Sequence, residues 1–101
     1  MAINFDYEAT IRQAEKLEEL AERLRGIAEN DLEEVLSDVN QGWKGENATQ
    51  FLKKGDRMKG RVLTSSGDLK NIARTIRRMA YNLRQSEQEA ARIAAQGPGS
   101  H

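Results

Sequence analysis

The chain has 101 residues, of which 16 are basic, 16 are acidic and one is histidine. This length allows a single domain with a small core, and such a charge content without long apolar runs excludes a membrane span. The absence of cysteine excludes a disulfide framework, a thiolate zinc site and a cysteine nucleophile.

The composition favours helix over sheet. There is one proline, and Glu, Arg, Ala, Leu and Gln are abundant. The only histidine, His101, ends a Gly-Pro-Gly-Ser-His stretch at 97–101, which is typical of a vector-derived tail; the domain is therefore expected within 1–96. Without that histidine, metal sites and acid–base mechanisms are poor candidates, so we expect no enzyme and no cofactor. No N-terminal segment resembles a secretory signal peptide.

The first helix is predicted from about residue 6 to about residue 40, with Asp6 as its N-cap. Apolar residues recur every three or four positions on one face. After Ile27 this apolar stripe shifts by one position, which resembles a coiled-coil stutter. The core residues predicted in this helix are Leu17, Leu20, Leu24, Ile27, Leu32 and Val35.

A turn is predicted at 41–45, where two glycines flank Trp43. The second helix is predicted from about 46 to about 96. Its apolar positions alternate in steps of four and three over six heptads, the period of a coiled-coil seam. The core residues predicted in this helix are Phe51, Met58, Val62, Leu69, Ile72, Ile76 and Met79.

Two long helices joined by a short turn predict an antiparallel hairpin. Residues 1–40 contain eleven acids and four bases, whereas residues 41–101 contain five acids and twelve bases, so the two helices attract one another. The stretch from Tyr81 to Gln96 is expected to extend beyond the first helix. With Trp43 as the midpoint, the expected facing pairs are Glu33 with Lys53, Glu29 with Arg57, and Glu8 with Arg78.

The apolar faces are wider than a two-helix contact requires. Tyr7, Leu36, Leu52, Ala73 and Ala80 lie beside the main seams. A second hairpin would cover such faces, so we expect an elongated four-helix bundle formed by two copies of the chain or by a paralogous partner. The opposite charges of the two helices favour a second copy.

Trp43-Lys44-Gly45 forms a W-x-G tripeptide near the middle of the chain, between two long helices. This arrangement, in a cysteine-free chain of about one hundred residues, resembles the WXG family, the ESAT-like small proteins exported by type VII secretion systems. The resemblance covers residues 1–96. It implies a helical hairpin that dimerises into a four-helix bundle.

The resemblance also implies a function. Such a protein leaves a bacterium by a signal-peptide-independent route, as cargo, effector or escort for a larger toxin, and is recognised by an FtsK-like ATPase. The residues implied in recognition are Trp43, Gly45, Tyr81, Leu83 and Glu87. The family's export signal places an acid four residues after a tyrosine; here Gln85 follows Tyr81, and the nearest acids are Glu87 and Glu89. Tyr81 therefore belongs either to a displaced signal or to the packing beside the seam.

Other interpretations of the charged residues are weaker. The acidic run at 15–22 is typical of a solvated helix face, because no calcium-loop motif or Glu-x-x-His pair accompanies it. The basic run at 53–61 lacks the interleaved aromatic residues of a single-strand binder. We expect neither nucleic-acid binding nor membrane insertion. The alternative function is a structural helical-hairpin adaptor or oligomerisation module in which the W-x-G is coincidental.

Overall fold

The structure is a computed structural model that describes residues 5–97, and helix makes up 94% of it, with no strand in that range. The elements are α1 (Tyr7–Gly26), a π-helical segment (Ile27–Leu32), α2 (Glu33–Gly42) and α3 (Glu46–Gln96). The molecule measures 84 × 18 × 16 Å. The predicted all-α class is confirmed. The expected tail lies outside the described residues, except for Gly97.

The first element begins as its sequence indicates. Asp6 has an extended backbone, and its Oδ1 accepts a hydrogen bond from the Ala9 amide at 2.9 Å. Glu8 places an acid in the first turn, at the positive end of the helix dipole. From there α1, the π-helical segment and α2 form one continuous helical arm, which we call the first arm.

The first arm lies beside α3 and runs antiparallel to it. Three ion pairs cross between them, and the partner's number falls as the position on the first arm rises. These pairs are Glu18–Arg77 at 2.7 Å, Glu22–Lys70 at 2.6 Å and Glu33–Lys59 at 2.6 Å.

The predicted stagger of the two arms was wrong. Glu33 pairs with Lys59 rather than Lys53. The prediction placed the midpoint of the turn at Trp43. In the structure all of Trp43–Gly45 lies between the helices, so the midpoint falls later in the chain. Packing also sets the stagger: the Leu36 side chain lies where a Cβ on Gly55 would be, so these two residues face each other. The side chains of the two arms interlock, and their fit overrides a count outward from the turn.

Small residues form the contact between the arms. They repeat every seven positions on both arms, which keeps them on one line, and their side chains let the backbones approach closely. The Ser66 hydroxyl donates a 2.7 Å hydrogen bond to the Ala21 carbonyl, so the buried oxygen is satisfied. The residues of this small-residue row, none more than 4% exposed, are Ala14, Ala21, Ala28, Ser66, Ala73 and Ala80.

The large residues predicted as core lie beside this row rather than in it. Six of them are half-buried: Leu17, Leu24, Leu32, Val62, Leu69 and Ile76. The other seven are 42–57% exposed in the single chain: Leu20, Ile27, Val35, Phe51, Met58, Ile72 and Met79. The apolar stripe is wider than one helix–helix contact. Only its smallest side chains fit where the two backbones lie closest together.

The π-helical segment accounts for the shift in the apolar stripe. On the first arm the buried positions step by seven through Ala28, and the next buried residue, Leu36, comes eight positions later. A π-helical turn accommodates one extra residue without ending the helix. The segment therefore keeps Leu36 in line with the alanines and facing Gly55.

Replacing Ala21 with leucine should separate the arms. Ala21 is fully buried against the other arm, and overpacking a tight contact costs about 1–3 kcal/mol. We expect Ala21→Leu to lower the thermal midpoint measured by circular dichroism. The control is Ala91→Leu on the exposed end of α3, which should leave the midpoint nearly unchanged; equal losses in both variants would contradict the close-contact account.

Candidate functional site

The backbone of the turn depends on one glycine. Trp43 is extended (φ −107°, ψ 142°), and its amide donates a 2.8 Å hydrogen bond to the Val39 carbonyl, which ends α2. Gly45 has φ 99°, a backbone conformation that residues other than glycine rarely adopt. Its carbonyl accepts hydrogen bonds from the amide and hydroxyl of Thr49, both at 3.2 Å. The turn is therefore closely tied to both helices.

Trp43 projects from this turn with 57% of its surface exposed. Its ring lies 5.8 Å from the ring of Phe51, tilted by 41°, a distance typical of favourable aromatic pairs. One side of the indole therefore contacts the molecule while much of the ring is left to solvent. The geometry combines a capping contact with an accessible aromatic surface.

The first arm covers α3 as far as Arg84. There the guanidinium lies 4.5 Å from the centre of the Tyr7 ring, a cation–π contact. Every residue from Tyr81 to Gly97 is exposed. Although exposure starts at Tyr81, Tyr7 still contacts Arg84, so the part of α3 that the described first arm leaves uncovered, the C-terminal arm, begins near residue 85, a few residues later than predicted. It has apolar Ile93 and an ion pair between Glu89 and Arg92.

The sequence-predicted recognition residues form two separate groups. Trp43 and Gly45 lie at the turn, whereas Tyr81, Leu83 and Glu87 lie at the far end of α3. At about 1.5 Å per helical residue, Glu46 and Tyr81 are roughly 50 Å apart. A single chain does not bring the two groups together.

A line of exposed side chains, all large and apolar except for one serine, runs along one side of both arms. We call it the outer row. It is flanked by the half-buried leucines, valine and isoleucine and parallels the small-residue row. The α3 members of this row repeat every seven residues, so the row is visible in the sequence. Hydropathy alone does not distinguish these residues from those at the contact between the arms. The outer row comprises Leu20, Ile27, Val35, Phe51, Met58, Ser65, Ile72 and Met79.

Charge also organises the surface. Arg77 donates two hydrogen bonds to Glu18, at 2.7 and 3.1 Å, and this contact lowers the pKa of the Glu18 carboxyl. A hydrogen bond from Lys70 likewise lowers the pKa of Glu22. These pairs occupy much of the acidic run at 15–22. Between residues 5 and 97 no group of three or more Asp, Glu, His or Cys side chains is arranged to hold a metal ion.

No protein-family model, curated protein or solved structure matches this chain. Within the described part, no helix is both long enough and apolar enough to cross a membrane. The features of the chain that bear on its function are the turn, the C-terminal arm and the outer row.

Acid should remove the contribution of the Glu18–Arg77 pair. The folded-state pKa of Glu18 lies below its usual 4.5, so its stabilisation is present above that pH and is lost as pH falls through the folded pKa. We expect Glu18→Gln to be less stable to urea than the parent at pH 7, with a difference that shrinks toward pH 3. Glu19→Gln, which removes no ion pair of the described chain, is the control. A difference independent of pH would contradict this.

Proposed function

We propose that this protein is a non-enzymatic WXG-type component of a bacterial type VII secretion system. It is exported as a folded helical dimer and acts as secreted cargo, as an effector or as an escort for a larger toxin. The observation that carries the proposal is Trp43, a half-exposed indole at the tip of a rod-like molecule. Gly45 supports the W-x-G interpretation, because its positive φ explains why the third residue of the tripeptide is a glycine.

The recognition surface is formed by the turn of one copy and the C-terminal arm of another. Within one chain these lie roughly 50 Å apart, so a second copy running in the opposite direction is needed to bring them together. The exposed outer row supports such a dimer, because apolar side chains this numerous on one line are typical of a protein interface. The secretion ATPase would then bind Trp43 beside the exposed apolar residues of the arm.

Tyr81 has a defined place in this proposal. It is 55% exposed, and Gln85, one helical turn later, shares its face. An amide therefore stands where the family pattern has a carboxylate. Glu87 lies on a different face of the helix, so Trp43 carries more of the recognition here than Tyr81 does.

A structural adaptor is the second candidate. The contact between Trp43 and Phe51 favours it, because an aromatic pair closing the end of the rod has a purely structural use. The two candidates differ in what the loss of the indole does: an adaptor loses assembly, whereas a secretion protein loses export.

Trp43→Ala should abolish or strongly reduce export from a bacterium that carries a type VII system, while the purified variant keeps the parent's solution mass. The indole is half-exposed and lies at the tip, so its removal leaves the contact between the arms intact. Lys44→Ala, which changes the adjacent exposed side chain, is the matched control and should be exported normally. If Trp43→Ala changes the mass instead, the adaptor interpretation replaces the secretion proposal.

A further inference from the structure

We infer that this rod bends at a joint near its middle, so that the turn end, which bears Trp43, changes its angle relative to the end where Tyr7 contacts Arg84. The joint consists of residues 29–35 of the first arm and residues 56–65 of α3. It is defined by contacts within one chain. The inference therefore goes beyond the proposed function and does not depend on export or on a second copy.

The joint contains no buried residue on either arm. On the first arm the buried residues stop at Ala28 and resume at Leu36, and on α3 none of residues 56–65 is buried. A segment with few buried contacts opens at a lower free energy than the segments around it. The rod is thus made of two packed parts that are linked by a weakly packed one.

The two stretches lie at the same height on the rod. The arms are antiparallel: Glu22 pairs with Lys70 on one side of the joint, and Leu36 contacts the Cβ position of Gly55 on the other. Both stretches fall between these two contacts. A bend in one arm is therefore met by the unpacked stretch of the other arm, and no buried contact has to break.

Both arms also lose their seven-residue repeat at the joint. On the first arm the π-helical segment, Ile27–Leu32, adds one residue. On α3 the inner contacts step by seven from Ala80 through Ala73 to Ser66, but the next one, Gly55, lies eleven residues before Ser66. An eleven-residue step is a heptad plus four, a stutter that locally unwinds the pairing of two helices. The packing of one part therefore does not continue into the other.

The backbone at the joint has the features at which helices bend. Kinks concentrate at π-helical turns and at glycine–serine pairs, and Ser66-Gly67 lies at the edge of the joint on α3. Within the joint, a Cβ on Gly60 would meet no atom within 4 Å, and the φ of this residue is not positive. Neither packing nor a turn requires a glycine there. Its effect is to weaken the helix, because glycine is a poorer helix former than every residue except proline.

The contacts that cross the joint hold it only weakly. Among the described residues one ion pair crosses it, Glu33–Lys59 at 2.6 Å, and the Glu33 side chain is 54% exposed. Such an exposed pair contributes little to stability, and the flexible stem of lysine lets it follow a bend. The apolar side chains of the joint that face the other arm, Leu32, Val62 and Leu63, are only half-buried.

A modest bend moves the turn a long way. Gly45 and Gly60 are separated by about 22 Å of helix, so a kink of about 20° displaces the turn by roughly 8 Å. Trp43, half-exposed at the tip, is carried through this arc. The joint thus lets the indole approach a partner at more than one angle while both packed parts stay intact.

Amide hydrogen exchange of the full chain, followed by NMR, tests whether the joint opens first. We expect its amides to exchange at least about tenfold faster than those of residues 14–26 and 66–80. Gly60→Ala should slow exchange in the joint by about fivefold, because alanine is the better helix former. Gly42→Ala is the matched control, since a Cβ there also meets no atom within 4 Å, and it should leave the joint unchanged. Uniform exchange along the rod, or equal slowing by both variants, would overturn the inference.

A deletion tests the π-helical segment. Without Asn30, which is exposed, the step from Ala28 to Leu36 becomes the seven residues of the alanine repeat, so a plain α-helix still sets Leu36 over Gly55. We expect this variant to keep the parent's helical circular dichroism and to exchange more slowly at the joint. Deletion of Glu19, exposed in α1, is the control: it rotates the preceding residues by about 100° and should lower the thermal midpoint. Equal damage from both deletions would contradict a removable joint.

Residual dipolar couplings of the backbone amides, measured in an aligning medium, report the bend itself. In a straight and rigid α3 the couplings of residues 46–55 and 66–80 fit one alignment tensor. We expect the parent to need two tensors, and the chain that combines Gly60→Ala with the deletion of Asn30 to need one. A parent that fits one tensor, or a combined variant that still needs two, would overturn the joint and leave the proposed function unaffected.

Discussion

The close contact between small side chains determines the rest of this structure. Alanines and one serine at seven-residue intervals let the two arms approach closely between residues 14 and 28 of the first arm. Such residues bury little apolar area each, and burial contributes about 0.8 kcal/mol per methylene group. The contact therefore gives the molecule its shape and stagger but leaves most of its large apolar side chains unburied. The outer row is a direct consequence, and its need for a cover leads to the proposed dimer.

Charge supports this arrangement within the chain. Within one chain, acids of the first arm meet bases of α3 at three points. Exposed pairs of this kind contribute about 0–1 kcal/mol each, so they select the stagger more than they stabilise the fold.

Much of the fold could be predicted from the sequence. Helix-favouring composition predicted the all-α class. The glycines around Trp43 predicted a turn before the second helix, which begins at Glu46 in the structure. The inner contact was missed, because Ala21 and Ser66 have little hydropathy beside Leu20 and Ile27 and so carry little weight in a periodicity count. The stagger was missed because it depends on how Leu36 fits over Gly55, which spacing does not encode. The one-residue shift after Ile27 was visible, but its π-helical form required the structure. For the candidate site, Trp43 could be singled out from the tripeptide; its contact with Phe51 and its distance from Tyr81 could not.

The central claim is that the small-residue contact leaves an apolar row that a second copy covers. Static light scattering on the purified chain, over a series of dilutions, tests it most directly. The account predicts a mass of twice 11.4 kDa that falls toward the single-chain value only on strong dilution, with loss of helical circular dichroism as the dimer separates. A stable, fully helical species of 11.4 kDa at every concentration would contradict it, because the exposed row would then need no partner.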